Sequence, residues 1–139
     1  MNDPEVIKIL QNNLGFSELS IKKLKKFNNL LLNFNKSYNL ISKNTEKAIW
    51  TRHILDSAQL ITFIDIHKNK SIADLGSGAG FPGVVIALFA QNSKFHVKLF
   101  EKSPVKRAFL EEISNKLSIK VDIKGNIYEE IVDADYIVS

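Results

Sequence analysis

The stretch that decides the fold is Ser71-Ile72-Ala73-Asp74-Leu75-Gly76-Ser77-Gly78-Ala79-Gly80-Phe81-Pro82-Gly83. Ile72 to Leu75 is a short apolar run holding one acid, and it suits a buried strand. From Phe81 the chain reads Phe-Pro-Gly-Val-Val-Ile-Ala-Leu-Phe-Ala, which suits a helix over 82–90 with Pro82 near its first turn. Between strand and helix stand Gly76, Gly78 and Gly80, where a side chain would keep a ligand away from the backbone. A strand, a glycine loop and a helix in that order bind a nucleoside-bearing cofactor at the carboxyl end of a parallel sheet.

Two glycine frames overlap in this loop. Read from Gly78, the residues Gly78-Ala79-Gly80-Phe81-Pro82-Gly83 fit the dinucleotide pattern G-x-G-x-x-G. Read from Asp74, the frame is acid-x-Gly76-x-Gly78-x-Gly80, the loop of adenosylmethionine-dependent methyltransferases. The dinucleotide frame needs its first glycine directly after the strand, so that the helix N-terminus reaches the pyrophosphate. Here it starts two residues late. Asp74 also favours the second frame, because a carboxylate attracts the cationic amino group of a methionine moiety and repels a pyrophosphate. A purely structural glycine turn is the third reading.

Glu101 ends the next predicted strand, Val97-Lys98-Leu99-Phe100-Glu101, where an acid accepts hydrogen bonds from both hydroxyls of a ribose. The plainer reading is a solvent-facing carboxylate paired with Lys102. Adenine would then lie against the loop around Gly125-Asn126-Ile127-Tyr128, with backbone groups of Ile127 and Tyr128 reading its edge; Tyr128 as a packing residue is the alternative.

Outward from this unit the chain divides into two zones. Residues 1–68 read as a helical cap. Asp3-Pro4-Glu5 starts a short helix that Gly15 ends, and Ser17 caps a longer one whose Ile21, Leu24, Phe27, Leu31 and Phe34 recur at steps of three and four. Asn44-Thr45-Glu46 opens a third helix running through Trp50 and His53 to about Phe63. Residues 69–139 alternate strands (72–75, 97–100, 119–123, 136–138) with helices (82–90, 104–117) and a short turn-and-helix over 128–131. That alternation predicts a parallel sheet in an α/β, Rossmann-like class I methyltransferase fold, with both zones in one compact unit. A complete sheet of that kind has about three more strands, so the expectation is a sheet truncated after the fourth.

Composition narrows the function. With 45% hydrophobic and 24% charged residues the chain is an ordinary soluble globular one, without a bilayer-spanning run or a signal-peptide layout, which points to the cytoplasm. Zero cysteines exclude a disulfide framework, a thiolate zinc site and methyl transfer through a cysteine adduct. His53, His67 and His96 lack metal-ligand spacing, so no metal is expected. The formal net charge is +4, with Lys22, Lys23, Lys25 and Lys26 on one predicted helix and Lys102, Lys106 and Arg107 after the second strand. Such clusters suit a polyanion such as RNA, although a solvated lysine face has the same composition.

Four segments occur together and in order: Tyr38-Asn39-Leu40; Trp50-Thr51-Arg52-His53-Ile54-Leu55-Asp56-Ser57; the glycine loop with its Phe81-Pro82-Gly83 extension; and Lys106-Arg107-Ala108-Phe109-Leu110. In these the chain resembles the RsmG (GidB) family of bacterial 16S ribosomal RNA guanine-N7 methyltransferases, over nearly its whole length. The resemblance implies methyl transfer from S-adenosylmethionine to N7 of one guanine in the 530 loop of the small-subunit RNA; a monomer is expected. It also implies cofactor contacts at Gly76, Phe81, Ile127 and Tyr128. Family members follow the serine matching Ser139 with an arginine that lines the site, so a catalytically incompetent cofactor- or RNA-binding fragment is the alternative; a nicotinamide-dependent oxidoreductase is a second.

The implied chemistry asks little of side chains. Guanine N7 carries a lone pair and no proton, so no general base is required. No Asn/Asp-Pro-Pro-Tyr/Phe clamp for exocyclic amines follows the fourth strand, consistent with a ring-nitrogen acceptor. Arg52 and Asp56, four apart, read either as an intrahelical ion pair or, from their place in the family pattern, with His53 as positioning groups beside the RNA site. Lys102, Lys106 and Arg107 are candidate RNA contacts, Lys106 and Arg107 alternatively supports for Glu101 or plain surface residues.

Overall fold

The computed structural model describes residues 1–125 and 132–139. The predicted turn-and-helix over 128–131, and with it Ile127 and Tyr128, lies outside the described residues.

Each of the first three helices begins on a side-chain cap. Asn2, Ser17 and Ser42 accept from the N–H groups of Glu5, Ser20 and Thr45, opening α1 (Asp3–Asn12), α2 (Glu18–Asn35) and α3 (Lys43–Glu46). The third predicted helix therefore starts earlier than Asn44, and it is not continuous. After α3 the backbone leaves the helix at Ala48. It then forms a π-helical turn over Ile49–Ile54, passes into α4 (Leu55–Gln59) and closes as a 3₁₀ turn over Leu60–Phe63. The buried residues explain the change of pitch. Ile49 and Ile54, like Trp50 and Leu55, are five apart; Ile54 and Ala58 are four apart; Ala58 and Ile61 are three apart. Keeping all of them on the core requires wide, normal and tight turns in succession.

The second zone is a four-stranded, wholly parallel sheet in the order β3-β2-β1-β4. Its strands are β1 (Ser71–Leu75), β2 (His96–Phe100), β3 (Asp122–Lys124) and β4 (Tyr136–Val138), with α5 (Gly83–Phe89) joining β1 to β2 and α6 (Pro104–Leu117) joining β2 to β3. The predicted third strand began at Ile119, but β3 begins three residues later. Ser118 adopts a left-handed conformation after α6, and Ile119 donates its N–H back to Ser114. Ile119 is buried as the apolar residue that completes a helix C-cap, not as a strand residue.

α2 lies across both α5 and α6 and runs opposite to them. Its start meets their ends, where Ser20 Oγ donates to the Leu88 carbonyl and Lys26 Nζ to the Lys116 carbonyl. Its middle and end meet their beginnings, where Phe27 packs on Phe81 and Phe34 on Phe109, at ring separations of 5.5 and 5.0 Å. One apolar core runs through both zones, from Val6 and Leu10 through Leu24, Phe27 and Ile54 to Val85, Leu99 and Leu110. No helix among the described residues is long and apolar enough to cross a membrane.

Candidate functional site at the carboxyl end of the sheet

The glycine loop after β1 is strapped to the end of β2. The N–H groups of Gly76 and Ser77 both donate to the Phe100 carbonyl, at 2.8 and 3.0 Å, and Gly80 N–H closes back on Ser77. Gly76 and Gly78 hold φ values of +81° and +55°, which side-chain-bearing residues rarely adopt. A methyl placed at Gly76 would meet nothing within 4 Å, and one at Gly78 only the Gly76 carbonyl at 3.9 Å. The outer face of the loop therefore opens on free space, the cradle a ligand backbone approach requires. Gly80 and Gly83 differ. A methyl at Gly80 would strike Val84 at 2.8 Å, and one at Gly83 would strike Leu99 at 2.2 Å and the Asp74 carboxylate at 2.8 Å. Both are packing glycines, one under the loop and one where α5 presses on the sheet.

Glu101 sits beside this cradle, 7% exposed. Its Oε1 accepts from Gly78 N–H and its Oε2 from Ser103 N–H, both at 2.8 Å. A carboxylate oxygen can accept two bonds, so each keeps one acceptor position for a ligand hydroxyl. The pairing of Glu101 with Lys102 read as the plainer alternative is absent from the ion pairs among the described residues, which are Asp65–Lys68 and Glu112–Lys116. Arg107 buttresses the same corner: its Nη1 donates to the carbonyls of Glu101 and Lys102 at 2.9 and 2.8 Å. Its guanidinium thus supports the Glu101 turn, while the side chain of Lys102 is exposed and that of Lys106 half-buried.

Asp74 lies beneath the loop and is 1% exposed. Its Oδ2 accepts from Gly83 N–H at 3.0 Å, at the start of α5, and the Ser77 hydroxyl donates to its backbone carbonyl. Burial raises its pKa from 3.8 to about 6; the Gly83 N–H and Ser77 hydroxyl oppose that rise, and nearby Glu101 adds to it. The sequence reading aimed this carboxylate at a ligand amino group, whereas the structure gives it an internal partner that joins strand, loop and helix.

A second wall comes from the π turn and α4. Arg52, His53 and Asp56 line an open cavity of about 730 Å³ with Phe81, Pro82 and the end of β4. The His53 and Phe81 rings are 5.3 Å apart. Arg52 and Asp56 form no ion pair with each other. The structure therefore brings these three residues into one cavity with Phe81, on the β4 side of β1, whereas Glu101 follows β2 on the other side. A π turn in a helix often marks a functional site.

Gly83, Ser77 and Ser103 carry the site's internal hydrogen bonds and packing, and the sequence reading gave them no role. For Gly83 a signal existed: it is the last glycine of the competing dinucleotide frame, where that residue allows close helix–strand packing.

The profile of the family described as rRNA small subunit methyltransferase G matches residues 20–139. The chain is 42% identical over 108 residues to ribosomal RNA small subunit methyltransferase G of Pelagibacter ubique, covering 74% of this chain and 50% of that protein. It is 37% identical over 119 residues to the protein of the same name from Orientia tsutsugamushi, covering 86% and 58%. It thus spans about half the length of the curated relatives it matches. Among solved structures, a protein-L-isoaspartate O-methyltransferase superposes with a TM-score of 0.50 at 16% identity, over 81% of this chain and 47% of that one. That likeness bears on the fold, which is the class I, Rossmann-like methyltransferase fold. With the profile running from α2 through the glycine loop to the last strand, the chain belongs to the rRNA small subunit methyltransferase G (GidB) family.

Proposed function

We propose that this chain is the cofactor-binding part of an S-adenosylmethionine-dependent methyltransferase acting on N7 of a guanine in 16S ribosomal RNA. The observation that carries the reading is the Glu101 carboxylate bonded to Gly78 N–H at 2.8 Å beside a loop whose outer face is open. In this reading the residual acceptor positions of Glu101 take the ribose hydroxyls, and the bare backbone of Gly76 and Gly78 admits the cofactor. Phe81 flanks it, and Ile127 and Tyr128 border the adenine. Asp74 acts through Gly83 and Ser77, holding the loop in shape.

Adenosylmethionine supplies a methyl on a sulfonium, an excellent leaving group. A guanine ring nitrogen brings its own lone pair, so the protein need only hold the acceptor in line and exclude water. The cavity lined by Arg52, His53, Asp56 and Phe81 suits that positioning role. RNA as substrate is supported by the relatives' names and by the lysine clusters.

Calorimetry with adenosylmethionine and its demethylated product, beside a tritium-transfer assay on small-subunit RNA, tests the reading. Binding of both with transfer supports it. Binding without transfer leaves a cofactor-binding module, and tighter binding of NAD than of adenosylmethionine defeats it.

A further inference from the structure

We propose that the outer face of α2 is a docking track for the phosphate backbone of the RNA substrate, leading toward the cofactor loop. This rests on the RNA-directed function above. No acidic residue stands between Glu18 and Glu46, a span holding six lysines, in a chain that has 15 acids among 139 residues. On the helix, Lys22, Lys26, Asn29, Asn33 and Lys36 recur at steps of three and four, and all are exposed. They form one stripe of hydrogen-bond donors about 21 Å long. Lys25 is exposed beside it.

A merely solvated helix face would interleave lysine with glutamate four residues away, which stabilises a helix; like charges at that spacing destabilise it. Past Glu18, which opens the helix four residues before Lys22, α2 carries only the like charges. The side chains of Lys22, Lys25 and Lys36 have no hydrogen-bond or ion-pair partner among the described residues, whereas those of Lys23 and Lys26 donate to Gln91 and the Lys116 carbonyl. Lys22, Lys25 and Lys36 are thus cations that a polyanion would neutralise, with Asn29 and Asn33 as neutral donors among them.

The direction of the track comes from packing. The lysine-rich start of α2 lies at the ends of α5 and α6, away from the glycine loop, and its far end reaches Phe109 of α6. There Tyr38, 48% exposed, stacks on Phe34 at 4.7 Å and offers a face to an unpaired base. One turn before Phe109 is Lys106, and before it Lys102, next to Glu101. A strand laid along α2 is thereby delivered to the cofactor side.

The test is fluorescence anisotropy with a labelled small-subunit RNA hairpin, titrated with salt, on the chain as it stands. K22A/K25A/K36A is expected to bind about tenfold more weakly at low salt, with a log–log salt slope shallower by about 2. K94A/K120A, which removes two lysines from the cavity at the amino ends of β2 and β3, is expected to bind as the parent does. Y38A should weaken binding to a single-stranded loop and not to a duplex. Calorimetry with adenosylmethionine on the same variants should show unchanged cofactor affinity, so failure of the cofactor reading registers separately. Equal RNA affinity for the triple variant and the parent would overturn the proposal, as would equal losses in both lysine variants. So would a triple variant that loses affinity for phosphatidylserine vesicles while keeping it for RNA.

Discussion

Glu101 and Asp74 are both buried carboxylates at one strand-to-loop corner, yet their surroundings assign them opposite tasks. Glu101 faces the cradle and retains acceptor capacity, so Glu101→Ala should weaken adenosylmethionine binding by about 1–3 kcal/mol, the worth of charge-assisted hydrogen bonds. Calorimetry measures this, and an effect near zero would remove the ribose contact. Asp74 faces the protein, with its pKa raised to about 6. A carboxyl raised in the folded state favours folding while protonated. Its contribution is complete below about pH 4, falls as the pH climbs to about 6, and amounts to at most about 3 kcal/mol. Asp74→Asn keeps an acceptor for Gly83 N–H and never ionises. Urea unfolding should therefore find the variant more stable than the parent at pH 7.5, with the gap closing below pH 4. A gap independent of pH would show that Asp74 titrates normally. Both acids are legible in the sequence, Asp74 from its place just before the glycines and Glu101 from its place at the end of the next strand. Their division of labour was not, because it depends on which side of the loop each side chain occupies.

Among the elements, α5 shows how tightly the loop is built into the sheet. Gly83 opens this helix against Leu99 and Asp74, with no room for a methyl group. Gly83→Ala should therefore destabilise the protein by about 1–3 kcal/mol through overpacking, despite alanine's better helix propensity. A urea midpoint at or above the parent's would refute the close fit. The segment from Ile49 to Phe63 teaches a related lesson. Its apolar residues were read as one helix, yet their intervals of five, four and three already encode the changing pitch. A single helical period fitted to the whole segment conceals the change. The Ile119 boundary was less legible: an apolar residue before a strand and one closing a helix cap look alike in sequence. The left-handed Ser118 decides between them.

For the whole molecule, the helical zone and the sheet share a core, so ligand binding at the loop should stabilise everything at once. Adenosylmethionine at a hundred times its Kd is expected to add about 2.7 kcal/mol, which for a chain of this size raises Tm by roughly 5–10 °C. Scanning calorimetry with adenosylmethionine and with NAD provides the check, and a rise with NAD alone would reverse the assignment of the loop. Sequence alone determined the parallel α/β architecture, the place of the glycine cradle and the acids flanking it. Those follow from local rules: strand and helix periods, glycine's tolerance of positive φ, and the short reach between a strand end and the next helix. Tertiary structure alone decided that Arg52, His53 and Asp56 line one cavity with Phe81, that Arg107 turns onto carbonyls, and that the lysine-rich start of α2 lies away from the loop. Each depends on how helices distant in sequence pack across the sheet, and side-chain identity carries no record of that until the core has closed.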